Sequence, residues 1–197
     1  MSISTRDITA VVLAGGQGRR MGGQDKGLIE FNGRALVAIL LDQLKQQISS
    51  ILINANRNLE RYQAMGYPVV SDQLDDYQGP LAGFACAMTA VDTDFILTLP
   101  CDGPSLAADY VARFITSQER TGAPICVADD GERLQPVHAL IKVDLLSSLN
   151  AFLDSGDRKI DRWYAMHDFV PTDFSDCADM FRNINTPSDQ ESMQVQP

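Results

Sequence analysis

The sequence predicts an α/β protein: one domain, with a mostly parallel sheet between layers of helices. Short apolar runs alternate with helically patterned segments through the first two thirds of the chain, as parallel strands joined by crossover helices do. A length of 197 residues with 45% hydrophobic content suits one domain with a core of ordinary size. No internal repeat, low-complexity tract or linker composition divides the chain.

Residues 8–14 are apolar apart from Thr9 and predict a buried first strand. Residues 28–31 followed by Asn32-Gly33 predict a short extended piece and a tight turn, because Asn-Gly supplies the positive φ values such turns need. Helical spacing follows over 35–48, then a second strand at 51–54, a helix over 59–65 and a third strand at 68–71. Gly79-Pro80 opens a helix running to about 91, with proline tolerated in the first turn. The apolar run 95–99 is a strand stopped by Pro100, and Ser105 is placed as N-cap of a helix to 120. Two further strands, 124–128 and 136–141, surround the turn Asp129-Asp130-Gly131-Glu132. Beyond Val143 the pattern is helical, over 144–153 and 160–166, with Ser155-Gly156-Asp157 between. The stretch Asn183-Ile184-Asn185-Thr186-Pro187 then precedes a last short helix.

A formal charge of −10 argues against a nucleic-acid binder, since phosphate backbones call for clustered Lys and Arg. An anionic ligand must therefore meet a local focus of positive charge. Arg19, Arg20 and Lys26 place three of the 16 basic residues within eight positions. The four cysteines, Cys86, Cys101, Cys126 and Cys177, show no CxxC spacing and suit reduced thiols better than a zinc site. The apolar run 10–14 is too short for a signal segment, and no run approaches the roughly 18 residues of a membrane span. A soluble cytoplasmic protein without membrane contact is expected.

The segment VVLAGGQGRRMGGQDKG, residues 11–27, puts glycines and cations directly after the first strand. It is not a dinucleotide fingerprint: Gly16 and Gly18 are followed by Met21 at the third glycine position, and Asn54 stands where an acidic residue is required. Nor is it a P-loop, because Lys26 is preceded by Asp25 and followed by Gly27 instead of a hydroxyl residue. The physics still points to phosphate. Glycines let backbone N–H groups approach an anion, and Arg and Lys supply charge-assisted hydrogen bonds. A solvated Gly/Arg surface loop is the plainer alternative.

Leu13-Ala14-Gly15-Gly16-x-Gly-x-Arg-Met21-Gly22 with Lys26 resembles the signature of nucleotidyltransferases that activate a phosphate-bearing acceptor with an NTP. More narrowly, the chain is similar to the molybdenum cofactor guanylyltransferases, the MobA family. The similarity extends through Asn54-Ala55-Asn56-Arg57, Asp72, Gly79-Pro80-Leu81-Ala82-Gly83, Pro100-Cys101-Asp102-Gly103-Pro104 and Asn183-x-Asn185-Thr186-Pro187, so it spans nearly the whole chain. It implies a Rossmann-like three-layer αβα nucleotidyltransferase fold in one domain, 1–197, with a GTP-binding part over 8–102 and a molybdopterin-binding part over about 103–190. The implied reaction is attack by the terminal phosphate of molybdopterin on the α-phosphorus of GTP, with pyrophosphate leaving.

Such a transfer spreads charge over non-bridging oxygens, so catalysis is positioning plus electrostatic stabilisation. The resemblance implies that Leu13, Ala14 and Gly15 cradle the nucleotide, with Arg19 and Lys26 on its phosphates. It implies Asp102 as ligand of Mg²⁺, which takes carboxylate and phosphate oxygens readily. Asn54 and Asp72, each at a strand end, are implied for the guanosine moiety, where an amide and a carboxylate suit ring N–H, amino and hydroxyl groups. Asn183 and Asn185 are implied for the pterin. Transient contacts with molybdoenzymes or cofactor chaperones follow from the same family role.

Plainer roles stand beside these: N-cap or turn for Asp102, turn formers for Asn54 and Asp72, helix cap for Asn185, and surface for Arg20. His138 reads as a satisfied core histidine and His167 as a surface one. Trp163, Tyr164 and Phe169 read as core, and Arg158 and Lys159 as a solvated helix start. Two rival functions remain open: a related nucleotidyltransferase using CTP or a sugar phosphate acceptor, and a non-catalytic nucleotide-binding regulatory module.

Overall fold

The computed structural model of the chain describes residues 2–16, 24–72 and 79–184. Strand β1 (Ile8–Leu13) runs through the interior and is covered on both faces. Ile8, Ala10 and Val12 pack to one side and Val11 to the other, the period-two alternation of an extended chain. A 3₁₀ turn, Lys26–Leu28, leads into a hairpin of β2 (Glu30–Phe31) and β3 (Arg34–Ala35). Asn32 (φ 51°) and Gly33 (φ 77°) close it in the left-handed conformation expected of Asn-Gly.

Helix α1 (Leu36–Leu44), β4 (Ile51–Asn54), α2 (Leu59–Gln63), β5 (Val69–Val70), α3 (Pro80–Ala90) and β6 (Phe95–Pro100) follow the predicted order. Then come α4 (Tyr110–Thr121), β7 (Ile125–Asp129), β8 (Leu134–Lys142), α5 (Leu146–Asp154), α6 (Ile160–Tyr164) and β9 (Phe169–Asp173), with a 3₁₀ segment Ser175–Phe181 after them. The main sheet has the order β5-β4-β1-β6-β8-β7-β9. Pairing is parallel from β5 through β6 and between β7 and β9; β8 alone runs antiparallel to its neighbours.

One face of the sheet is covered by α1, α4 and Tyr62 of α2, the other by α3, α5 and α6. Three layers result, as expected. Helix α4 shows why: Tyr110, Val111, Phe114 and Ser117 recur at helical spacing and are its buried face. Each fully buried large apolar side chain contributes about 1.5–3 kcal/mol. Gly122, with φ 68°, ends that helix in the left-handed conformation of a C-cap. Among the described residues no helix is long and apolar enough to cross a membrane, and the four cysteines are free thiols.

Two expectations are corrected. Ser105 is not an N-cap; α4 starts at Tyr110, with Asp109 before it. Side chains of α1 and the turn after it hold the intervening backbone: Gln43 donates to the Pro104 carbonyl and accepts from Leu106 N, while Gln47 donates to the Ala107 carbonyl. Those groups are thereby satisfied without a helix. Second, the helical pattern beyond Val143 gives way at 169–173 to β9, which is held by parallel pairing with β7. Pro171 is tolerated there because β9 is an edge strand.

Candidate active site

The register of the parallel strands brings the site together. Leu13 lies level with Asn54 on one side and Pro100 on the other, so β1, β4 and β6 end at a common carboxyl edge. In open α/β sheets ligands bind outside that edge. Ala14 N donates to the Asn54 carbonyl at 2.7 Å, and Cys101 N donates to the Leu13 carbonyl at 3.2 Å. The main chain of Leu13 and Ala14 is thus tied into the sheet up to the point where Gly15 and Gly16 depart.

Lys26 and Asp102, 76 residues apart in sequence, meet across this edge, with Nζ 3.0 Å from Oδ2. Asp102 lies just past the end of β6 and is 8% exposed. Its Oδ1 is buried without a protein hydrogen-bond partner among the described residues. A carboxylate with one oxygen on a lysine and the other unpartnered has coordination capacity left over. Burial, followed by the charge of Asp102, pushes the neighbouring Cys101 thiol far above its usual range, so it is not a nucleophile here.

At the end of β4, Asn54 donates to Asp72 Oδ1 at 2.8 Å. Asn56 donates to Asp72 Oδ2 at 2.7 Å and accepts from Asp72 N at 2.8 Å. Both carboxylate oxygens are therefore oriented by amides. Helix α3 fits closely over this group: a Cβ on Gly83 would lie 2.6 Å from Asn54 Oδ1 and 2.9 Å from Leu13 Cδ2. Gly15 is as tightly placed, its added Cβ falling 2.9 Å from Asn56 Nδ2. Glycine at both positions is a condition for strand end, loop and helix to meet.

A second cluster lies under the Lys26 turn. Asp25, 9% exposed, accepts from Tyr62 Oη at 2.6 Å and from Asn58 Nδ2 at 2.9 Å, and Arg57 Nε stands 3.6 Å from its Oδ2. Burial foremost raises the Tyr62 phenol far above its usual range, so it remains a donor. Arg57 Nη2 reaches the Gly16 carbonyl at 3.0 Å and the Gln24 carbonyl at 2.8 Å.

The C-terminal segment closes the other flank. Ile184 N donates to the Asp102 carbonyl at 2.9 Å, and a Cβ on Gly103 would stand 3.7 Å from Asn183 Oδ1. The structure thus brings Leu13, Ala14, Gly15, Lys26, Asn54, Asp72, Asp102 and Asn183 to one edge. Arg19, Arg20 and Asn185 lie outside the described residues. Asn56, Asp25 and Tyr62 belong to the assembly although their residue types and spacing assign them no role; the Asn54-Ala55-Asn56-Arg57 stretch is the signal that could have found Asn56.

Away from the edge, Trp163 and Tyr164 are core, and Phe169 is 37% exposed. His138 is buried against Tyr110, and burial holds its imidazole down at about 3. His167 is corrected from surface to half-buried: Nε2 is 2.9 Å from Ser148 Oγ and the ring packs edge-on against Trp163.

A strand-end ion pair with spare carboxylate capacity, an amide-braced carboxylate and a glycine loop suit binding and activation of a phosphorylated nucleoside. Comparisons with known proteins agree in kind. A family profile described as the MobA-like NTP transferase domain matches residues 10–170. A curated protein of Shewanella woodyi, named molybdenum cofactor guanylyltransferase, is 49% identical over 186 residues, covering 94% of this chain and 95% of its own. The solved structure of molybdopterin-guanine dinucleotide biosynthesis protein A from Archaeoglobus fulgidus superposes with a TM-score of 0.78 at 19% identity, covering 93% of this chain and 95% of its own. A CMP:2-keto-3-deoxy-manno-octonic acid synthetase solved with CTP shares the fold at a TM-score of 0.75 and 11% identity, covering 95% and 97% of the two chains.

Proposed function

The chain belongs to the MobA-like NTP transferase domain family, and from that premise we propose that it is a molybdenum cofactor guanylyltransferase, transferring GMP from GTP to the terminal phosphate of molybdopterin. A phosphate oxygen of the acceptor forms the new bond to the α-phosphorus, and the bond from that phosphorus to the bridging oxygen breaks, releasing pyrophosphate. The observation that carries the reading is the Lys26–Asp102 pair at the carboxyl edge, 3.0 Å apart, with Asp102 Oδ1 unpartnered among the described residues.

Lys26 turns from Asp102 to the β and γ phosphates when nucleotide binds, where its charge steadies the leaving pyrophosphate. Arg19 shares that task. Leu13, Ala14 and Gly15 pass close to the nucleotide, held in place by β4 and β6. Asp72, oriented by Asn54 and Asn56, accepts from guanosine donors. Asp102 is the residue that would hold a divalent cation, Mg²⁺ in this proposal, and its unpartnered oxygen fits that use. Such an ion supplies neutralisation of charge on the phosphate oxygens.

Residues 8–102 accordingly form the GTP-binding part, and about 103–190 the molybdopterin-binding part, with Asn183 and Asn185 toward the pterin. The dinucleotide cofactor then passes to recipient molybdoenzymes or their chaperones by transient contact. Since a CTP-bound enzyme shares the fold, the base is decided by side chains and not by architecture. Thermal melting tests it: GTP with Mg²⁺ raises the midpoint by mass action, whereas CTP has far less effect. Equal protection by both nucleotides removes the guanine assignment. Absence of pyrophosphate and guanine dinucleotide when GTP, Mg²⁺ and molybdopterin are supplied removes the activity.

A further inference from the structure

We propose that Arg57 is a positioning residue for nucleotidyl transfer, a clamp that joins the two ends of the glycine loop and thereby sets Lys26 against Asp102. Its kinetic consequence rests on the nucleotidyl-transfer reading; the clamp itself does not. One guanidinium nitrogen, Nη2, donates to the carbonyls of Gly16 and Gln24, at 3.0 and 2.8 Å. Those carbonyls bracket the glycine-rich stretch, so Arg57 fastens its entry to its exit. The tie fixes Gly16 and Gln24 relative to β4, and with Gln24 the main chain that leads into Asp25 and Lys26.

The clamp is anchored in the core. Arg57 Nε lies 3.6 Å from Asp25 Oδ2, and Asp25 is held by Asn58 and by Tyr62, which is fully buried. Lys26 follows Asp25 and opens the 3₁₀ turn Lys26–Leu28. A Cβ on the next residue, Gly27, would lie 2.7 Å from Tyr62 Oη and 3.2 Å from Cys101 Sγ, so this turn is wedged between the anchor and the end of β6. A continuous path of contacts runs from Arg57 through Asp25 to Lys26. The charge of Arg57 also offsets that of Asp25, leaving Lys26 its own charge for phosphate.

A lysine at this position keeps the charge but not the planar fork of donors. Two measurements on the purified protein test the clamp: steady-state kinetics with GTP, Mg²⁺ and molybdopterin, and amide hydrogen exchange across residues 24–28. For Arg57→Lys we expect kcat to fall about tenfold or more, KM for GTP to change less than about threefold, and exchange over 24–28 to rise while β7 and β8 stay protected. Wild-type exchange in that segment overturns the clamp, and raised exchange with wild-type kcat overturns its positioning role. Should Arg57→Lys not fold, Arg57→Gln, which keeps a donor for one carbonyl, is measured in the same two ways, and the same two outcomes overturn the clamp or its role. If the wild-type protein itself makes no dinucleotide, the functional reading fails, while exchange still tests the clamp.

Discussion

Asp25 precedes Lys26 in the chain and Asp102 pairs with it; both aspartates are nearly out of reach of water, and they are held in opposite ways. Asp25 has donors on both oxygens, from Tyr62 and Asn58, with Arg57 close by. Asp102 has one oxygen on Lys26 and the other buried without a protein partner among the described residues. A carboxylate whose capacity is used up by the protein is an anchor. One kept partly unsatisfied at a strand end has capacity in reserve for a ligand, at some expense in stability.

The largest expected effect separates the two by function. Asp102→Ala lowers kcat about 10²- to 10³-fold with little change in melting midpoint, and it abolishes the added protection that Mg²⁺ gives with GTP. Pyrophosphate release at the wild-type rate would sink the assignment. Asp25→Ala acts through the fold: Tyr62 Oη, Asn58 and Arg57 lose a common partner, a loss of about 3 kcal/mol read from urea unfolding. If Asp25→Ala proves as stable as wild type, the contrast collapses.

A smaller effect probes the amide-braced side. Gly83→Ala brings a methyl to 2.6 Å from Asn54 Oδ1, so α3 or Asn54 must shift. The expected loss is about 2 kcal/mol of stability, together with weaker protection by GTP in melting; unchanged protection would mean that Asn54 does not need this placement. The smallest effect lies away from the edge. Burial holds His138 at about 3 in the fold, against about 6.5 in the unfolded chain. As pH falls below about 6.5 the unfolded state takes the proton first, so stability is lost from there down toward pH 3. By pH 5.5 this amounts to about 1 kcal/mol, and His138→Phe removes that part of the slope. An identical slope in the variant would show that His138 does not contribute.

Much of this was legible in the sequence because the signals are local. A largely apolar run before a glycine loop marks β1 and the edge where it ends, and an aspartate just past another apolar run marks Asp102. Arg57 was legible only as part of a motif. Its contacts return to carbonyls 33 and 41 residues away, and no local spacing encodes such a reach. Asp25 likewise looks like any loop aspartate until Tyr62 is placed beneath it. Ser105 has the chemistry of an N-cap, but Gln43 and Gln47 satisfy the backbone there first.

The sequence by itself determined the α/β alternation, the turn at Asn32-Gly33 and the chemical character of the strand ends, because these follow from side-chain period and backbone preference within a few residues. Only the tertiary structure decided the reversed direction of β8, the edge strand β9, and which aspartate is anchored and which is left open. Those outcomes depend on hydrogen-bond partners far apart along the chain, and a buried polar group acquires its role from the partners that packing brings to it.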